Sequence, residues 1–297
     1  MTTQLDDLVT LLGLERLEEN LFRGQSQELG WGAVFGGQVL GQALSAATQT
    51  VAKERLVHSM HAYFLWPGDP AKPIIYDVDR IRDGASFTTR RVVAIQAGRP
   101  IFNLSASFQI EDEGFEHQDP MPDVPPPEAL ITDAERVKRL KDKLPEGIGA
   151  RVASGGAFEM RSTDPEWTDP LSPPPRPGRR QVWIKSLGPL PDDPQLHREL
   201  LAYISDWGFI SASLQPHGRS TISPGMQIAS IDHVMWFHAP FRIDDWVLHV
   251  VDSPVARNTR GLVRGQMYTR DGRLIASTTQ EGLIRKRRPK PATAPST

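Results

Sequence analysis

The stretch Gln38-Val-Leu-Gly-Gln-Ala-Leu-Ser-Ala-Ala-Thr-Gln-Thr-Val51 constrains this chain more than any other feature: it is small, apolar nearly all round and carries no charge. A helix of that composition is buried on most sides, so something must wrap it. The next segments of the chain are suited to do so. Residues 56–66 are rich in His, Tyr and Phe and end at the turn dipeptide Pro67-Gly68. Residues 74–81 alternate, with Ile74, Tyr76 and Val78 on one face. Asp83-Gly84 marks a tight turn, and residues 86–96 and 101–110 read as two more strands joined through Ala97-Gly98. The spacing of Leu5, Leu8, Leu11, Leu12, Leu14, Leu17 and Leu21 predicts a helix over residues 5–22. Residues 29–35 read as a strand running into Gly36-Gly37.

The pattern then begins again. Residues 194–214 read as a second helix, followed by strands over 227–238, 246–253, 260–269 and 274–285, with Asp271-Gly272 turning between the last two. Tyr63-Phe64-Leu-Trp-Pro67 matches Trp236-Phe237-His-Ala-Pro240, Gln96 matches Gln266, and Gly98-Arg99 matches Gly272-Arg273. All three matches lie about 170 residues apart, so order, spacing and element type agree across both halves. The implied class is α+β: a tandem, or double, hot-dog in which each repeat wraps an antiparallel sheet around a long central helix. The two sheets would join edge to edge and so remove exposed edges. This divides the chain into an N-terminal repeat (1–111), a proline-rich connecting segment (112–190), a C-terminal repeat (191–288) and a flexible tail (289–297). The connecting segment carries Pro125-Pro-Pro127 and Pro173-Pro-Pro175, with a short helix expected over 133–143. Part of it should lie against a domain surface, since Phe158, Met160, Trp167 and Trp183 are not all expected in water.

Composition excludes several partners and chemistries. A formal net charge of -2 over 297 residues gives no global pull towards nucleic acid. The basic run Arg285, Lys286, Arg287, Arg288 and Lys290 is read as a solvated terminus, because Pro289 and Pro291 break any ordered surface. With no cysteine, disulfides, thiol nucleophiles and cysteine metal sites are all excluded. No apolar run approaches the roughly 20 residues that span a bilayer. No secretory signal is visible, and the chain ends Ala-Pro-Ser-Thr rather than in a peroxisomal tripeptide. A cytoplasmic location, without membrane insertion, is the expectation.

Familiar catalytic devices are missing as well. The sequence holds no Gly-x-Ser-x-Gly elbow, P-loop, dinucleotide fingerprint or His-Glu-x-x-His. His58 and His61 stand three apart in a predicted strand and are expected on opposite faces, unable to share a metal. That leaves polar residues where the pattern calls for apolar ones. Asp206 lies within the second apolar helix, between Tyr203-Ile204-Ser205 and Trp207-Gly-Phe-Ile210, and the repeat offset places Gly36 opposite it. A carboxylate there is costly unless bonded or used. Pattern alone leaves it open between a helix cap and a catalyst. Ser230 and Gln280 fall on predicted core strands, and either alone reads as surface polarity. Asp232-His233 suggests a dyad, but adjacent strand residues face opposite ways.

Together the motifs resemble the acyl-CoA thioesterase II family. The first half supplies Phe35-Gly-Gly-Gln-Val-Leu-Gly-Gln-Ala-Leu44, His58-Ser-Met-His-Ala-Tyr-Phe-Leu65, Pro67-Gly-Asp-Pro70, Arg82-Asp-Gly-x-Ser-Phe-x-Thr-Arg-Arg91 and Ala106-Ser-Phe-Gln109. The second supplies Leu214-Gln-Pro-His-Gly218, Ile231-Asp-His-x-Met-Trp-Phe-His238, Arg260-Gly-x-Val-Arg264 and Ala276-Ser-x-x-Gln-Glu-Gly282. The resemblance covers roughly residues 5–285 outside the proline-rich middle. It implies hydrolysis of fatty acyl-CoA to free acid and CoA, with no metal or other cofactor. It implies a catalytic set of an Asp on the second helix, a Thr or Ser on the following strand and a Gln on the last strand, which fall on Asp206, Ser230 and Gln280. A homo-oligomer is expected on the same ground. Three other readings stand beside it. A hot-dog hydratase would need a His beside the acid, and none lies within helical reach of Asp206. A non-catalytic acyl-CoA-binding module would leave the polar trio without use. An acyltransferase would want a covalent nucleophile.

Overall fold

The structure is a computed structural model, and it describes residues 4–144, 156–165 and 169–287. Trp167 and the tail 289–297 lie outside the described residues. The chain opens with α1 (Gln4–Leu12), β1 (Glu15–Glu18) and β2 (Leu21–Gly24). Then come α2 (Gly36–Thr48), β3 (Leu56–Phe64), β4 (Ile74–Asp83), β5 (Phe87–Gln96) and β6 (Arg99–Gln109). A crossing segment carries α3 (Asp133–Arg139), β7 (Phe158–Ser162) and β8 (Arg179–Ser186). The remainder is α4 (Pro194–Ser205), β9 (Met226–Ser230), β10 (Asp232–Phe237), β11 (Val247–Arg257), β12 (Arg260–Thr269) and β13 (Leu274–Lys286).

All the described strands belong to one antiparallel sheet, ordered β1-β2-β4-β5-β6-β3-β10-β13-β12-β11-β8-β7, with β9 paired to β13. The order reads the same outward from its centre. On one side a strand (β2), a helix (α2) and four strands (β3–β6) are arranged β3, β6, β5, β4, β2. On the other, β8, α4 and β10–β13 are arranged β10, β13, β12, β11, β8. The seam is β3–β10, where His61 faces Val234 and Met60 faces Met235. With Tyr63 matched to Trp236, the pair His61–Val234 lies on the axis relating the two halves. Neither central strand is left as an open edge.

The helices fill the concave side. Every residue of α2 from Gly37 to Thr48 is buried. Its one long neighbour is α4, packed so closely that a Cβ at Gly37 would lie 2.1 Å from the Tyr203 carbonyl. A backbone atom cannot step aside, so only glycine fits there. One apolar core runs through both halves, joining Leu40 and Leu44 of α2 to Leu200, Leu201 and Ile204 of α4, while Phe209, Ile210 and Ala212 pack against Val251 of β11 and Val263 of β12.

Several expectations need correction. Residues 5–22 are not one helix: α1 ends at Leu12, and β1 and β2 follow. Residues 29–35 form a loop turned by Gly30 (φ 81) and Gly32 (φ 71). The second helix stops at Ser205; Gly208 takes a left-handed conformation (φ 65), and Phe209–His217 continue as a 3-10 helix. The proline-rich segment 112–190 connects the halves but also supplies β7 and β8, so the second half extends back beyond residue 191. As expected of its apolar residues, Phe158 and Trp183 are buried, and Met160 packs partly buried on the core. The glutamine match fails in register. Gln96 ends β5 opposite Arg99, whereas Gln266 lies within β12 opposite Ser277.

Candidate active site

The end of α4 meets the beginning of α2. Asp206 is the C-cap of α4 (φ -78, ψ -13), so it lies just past the helix rather than inside it. Arg180 holds the turn that follows, its Nη1 donating to the carbonyls of Trp207 (3.4 Å) and Gly208 (3.3 Å). α2 starts at Gly36-Gly37, its N-cap residue Phe35 supplies no side-chain cap, and its first N–H groups carry the positive end of the helix dipole. A Cβ at Gly36 would lie 2.6 Å from Asp206 Oδ2, so the glycine makes room for the carboxylate. The Gly37 N–H donates to Asp206. Gly36, which the repeat offset places opposite Asp206, is also its neighbour in space: Phe209–His217 meets β8, β11, β12 and β13 as α2 meets β2, β4, β5 and β6, so Asp206 precedes the second half's counterpart of α2.

The three residues singled out in the sequence come together. The Ser230 hydroxyl donates to Asp206 Oδ1 at 3.2 Å, and Gln280 Nε2 donates to Ser230 Oγ at 2.8 Å. Ser230 ends β9 opposite Gly282, and Gln280 sits on the inner face of β13. The cap reading for Asp206 has no support at an N-terminus of α4, where Asp193 already serves.

A fourth member was missed. His233 is fully buried, with Nδ1 2.6 Å from Gln280 Oε1 and Nε2 2.9 Å from Ser205 Oγ. In the sequence it stands three residues from Ser230, which on an even strand means opposite faces. The strand is not even. β13 pairs Ser230 with Gly282 but Val234 with Thr279, so one residue is bulged out near Ile231 and both side chains turn inward. Asp232 faces the other way and accepts from the Glu281 N–H at 2.6 Å, so the adjacent pair is no dyad. A matching bulge falls between Val57 and Ser59. It places His58, bonded to Ser107 Oγ (2.8 Å), on the same outer face as His61, which meets the Trp236 ring edge-on. The opposite-face expectation for these two histidines is therefore wrong, although each is engaged separately. Among the described residues no three His, Asp or Glu are grouped to hold a metal.

Burial raises the pKa of Asp206 above the ordinary carboxylate range; His233, the hydroxyl of Ser230, the amide of Gln280 and the Gly37 N–H pull the other way. Burial lowers the pKa of His233, which keeps the ring neutral, with Asp206 opposing. The arrangement thus holds a carboxylate that is more basic than one in water and surrounded by donors. An aromatic wall flanks it. Phe35 lies edge-on to Tyr203 (5.2 Å) and Trp207 (5.5 Å), and Trp31, about half exposed, covers Trp207 at 5.5 Å.

A helical layer on a shared antiparallel sheet, with a buried acid, hydroxyl and amide where the helices meet, defines a hot-dog protein with a buried polar site. A protein with hot-dog fold from Alicyclobacillus acidocaldarius has the same fold (TM-score 0.74, 21% identity, covering 96% of this chain and 99% of that one). The sequence is more specific. Residues 26–109 match the acyl-CoA thioesterase N-terminal domain and residues 161–283 the acyl-CoA thioesterase model. An acyl-CoA thioesterase 2 from Haemophilus influenzae is 43% identical over 96% of this chain and 99% of its own length. The human acyl-coenzyme A thioesterase 8 is 41% identical over 94% of this chain and 88% of its own. The acyl-CoA thioesterase II TesB2 of Mycobacterium marinum superposes with a TM-score of 0.77 at 38% identity, covering 94% of this chain and 98% of that one. This chain belongs to the acyl-CoA thioesterase family.

Proposed function

We propose that the protein hydrolyses acyl-CoA thioesters to a free carboxylic acid and CoA by direct attack of water, with Asp206 as the base. The observation that carries this is the run of donors ending on a buried carboxylate, set at the start of α2. A water held by Asp206, Ser230 and Gln280 gives its proton to Asp206 as its oxygen attacks the thioester carbonyl. The carbonyl oxygen becomes an oxyanion facing the positive end of the α2 dipole. Collapse of the tetrahedral intermediate breaks the C–S bond. CoA leaves as a thiolate and takes up the proton held by Asp206. A thiol of pKa about 8.5 is a good enough leaving group that no separate acid is needed. The acyl chain lies along Phe35, Tyr203 and Trp207.

The same reading treats each half as one hot-dog repeat, 1–111 and 191–288, the second completed by β8. It places the protein in the cytoplasm as a homo-oligomer on the family resemblance alone. Among the described residues no helix is long and apolar enough to cross a membrane. The hydratase reading is disfavoured by His233, the only histidine bonded into this network. Both its ring nitrogens are engaged and neither meets the carboxylate. The test is CoA release, followed with a thiol dye, from acyl-CoAs of short to long chain, with wild type and Asp206→Ala side by side. Release should fall by roughly 10²- to 10⁴-fold in the variant, the usual contribution of a positioned base. Tight binding of acyl-CoA without release by the wild type would return the protein to the binding-module reading.

A further inference from the structure

We propose that His233 is a positioning residue that fixes which end of the Gln280 amide faces Ser230 and Asp206. The inference rests on the hydrolytic reading above. The two ends of a glutamine amide have the same shape, so only hydrogen-bond partners choose between them. The choice can be worked out from the carboxylate inward. Ionised Asp206 only accepts, so the Ser230 hydroxyl donates to it across 3.2 Å. Ser230 has one proton, so Ser230 Oγ must accept at its other contact, and the group 2.8 Å away is Gln280 Nε2. Gln280 Oε1 then faces Nδ1 of His233 at 2.6 Å, and Nδ1 must be the protonated nitrogen. Nε2 is left to accept from the Ser205 hydroxyl at 2.9 Å. The Ala202 carbonyl also lies 2.8 Å from Ser205 Oγ, but it takes that proton only if the ring carries two, which burial opposes.

The hydrogens of Ser205, His233, Gln280 and Ser230 therefore all point towards Asp206. Reversing the amide would turn Gln280 Oε1 on a hydroxyl already committed to a carboxylate. It would also remove the N–H that Gln280 offers a water. An imidazole with Nδ1–H forbids that reversal, because its donor would then meet an NH2 group. His233 acts only through Gln280: both its nitrogens are engaged and it is 0% exposed, so it does not touch substrate.

The first half supplies an independent observation. Counted from His61–Val234, Met60 occupies the place of His233, and Ala106, which faces Met60 across β3–β6, occupies that of Gln280. Where there is no amide to orient, there is no imidazole. The same buried position on the same fold takes a methionine, so packing alone does not require a ring.

Two substitutions separate orientation from packing. His233→Met copies the first half and removes the donor. His233→Asn keeps an N–H at the place of Nδ1. We expect kcat for acyl-CoA hydrolysis to fall about 10- to 100-fold in His233→Met with KM within about twofold, as for misplacement of a reacting group. His233→Asn should recover most of the loss, with similar melting temperatures for both. A His233→Met kcat within twofold of wild type would overturn the proposal, and so would an Asn variant as slow as the Met one. The second measurement needs no turnover. Nitrogen-15 spectra of the wild-type ring should show the Nδ1–H tautomer, and the Nε2–H form would refute the orientation. If wild type releases CoA but these outcomes fail, only the role of His233 falls. If wild type releases none, the hydrolytic reading falls and the ring spectrum still decides the tautomer.

Discussion

Counting outward from His61–Val234, Ser230, His233 and Gln280 in one half correspond to Val57, Met60 and Ala106 in the other. All three counterparts are buried and apolar, at 4%, 0% and 1% exposure. Asp206 corresponds to Gly36, which has no side chain. The helix starts differ in the same sense. α4 begins Asp193-Pro194, with the aspartate side chain accepting from the Gln195 N–H at 3.0 Å and the proline lacking an N–H altogether. α2 begins with two glycines, and its N-cap residue supplies no side-chain cap. The first half has buried polar groups too, but they tie segments of chain together. Gln42 donates to the carbonyls of Leu11 (2.6 Å) and Gln25 (2.9 Å) and accepts from Tyr76 (2.7 Å). In the second half the bonds run to a carboxylate at another helix's start. The difference teaches that the fold needs neither the acid nor its donors. The first half is a built-in control for what the polar set adds.

The sharpest way to break the comparison is to write the first half's residues into the second. Ser230→Val and Gln280→Ala should each cost about 10- to 10³-fold in kcat, and the double variant little more than the worse single, because the two hold one water. Their fold should persist, since the first half is stable with the same residues; circular dichroism and Tm check this. If the double variant retained near wild-type turnover, the polar set would be structural, and the catalytic reading of the second half would fail.

Much of this contrast could be read in the sequence. The uncharged stretch over 38–51 fixed a buried helix, and the aromatic–proline matches correctly related β3 to β10. Asp206, Ser230 and Gln280 stood out as polar residues at core positions. Two things stayed hidden for physical reasons. The offset between the halves shifts from 170 at Gly36 and Asp206 to 173 at Tyr63 and Trp236, so no single offset aligns both the helices and the strands. The bulge near Ile231 reverses strand alternation, so even spacing along the strand could not bring His233 to the side of Ser230. Bulges leave no signature in composition. The equal bulge at His58 became informative only once the ladders were known.

A second contrast lies in charge. α2 carries none, whereas α4 buries Glu199, whose pKa is raised to about 8 by desolvation, with nearby Asp193 adding to the effect and Ser45 opposing it. An acid with a raised folded-state pKa takes up a proton on folding. Between the ordinary carboxylate range and about pH 8 it therefore lowers stability as pH rises, by up to about 1.4 kcal/mol per pH unit. Below that window the group is protonated in both states and imposes no penalty. Glu199→Gln removes the ionisation and keeps a partner for Ser45. Its Tm should exceed that of wild type by a margin that grows from pH 5 to pH 8 and then levels off. A margin independent of pH would mean that Glu199 is not the group responsible. Asp206, also raised by burial, leaves a residual slope of the same sign in the variant.

The smallest effect separates the two helix starts. Asp193→Ala removes the cap of α4, which should cost about 1 kcal/mol and lower Tm by about 2–4 °C in a chain of this size. Turnover should stay within twofold. Asp193 and Asp206 stand at opposite ends of a helix of 12 residues, about 18 Å apart at 1.5 Å per residue. The Gln195 N–H freed by the substitution lies beside the cleft lined by Lys53, Leu56 and Gln195, at the far end of α4 from Asp206. The cap of α4 is thus a matter of stability alone, and the start of α2 one of chemistry. A fall in kcat parallel to the fall in Tm would break that division. It would mean that loosening the start of α4 reaches the carboxylate at its end, and that the two helices position the site as one unit.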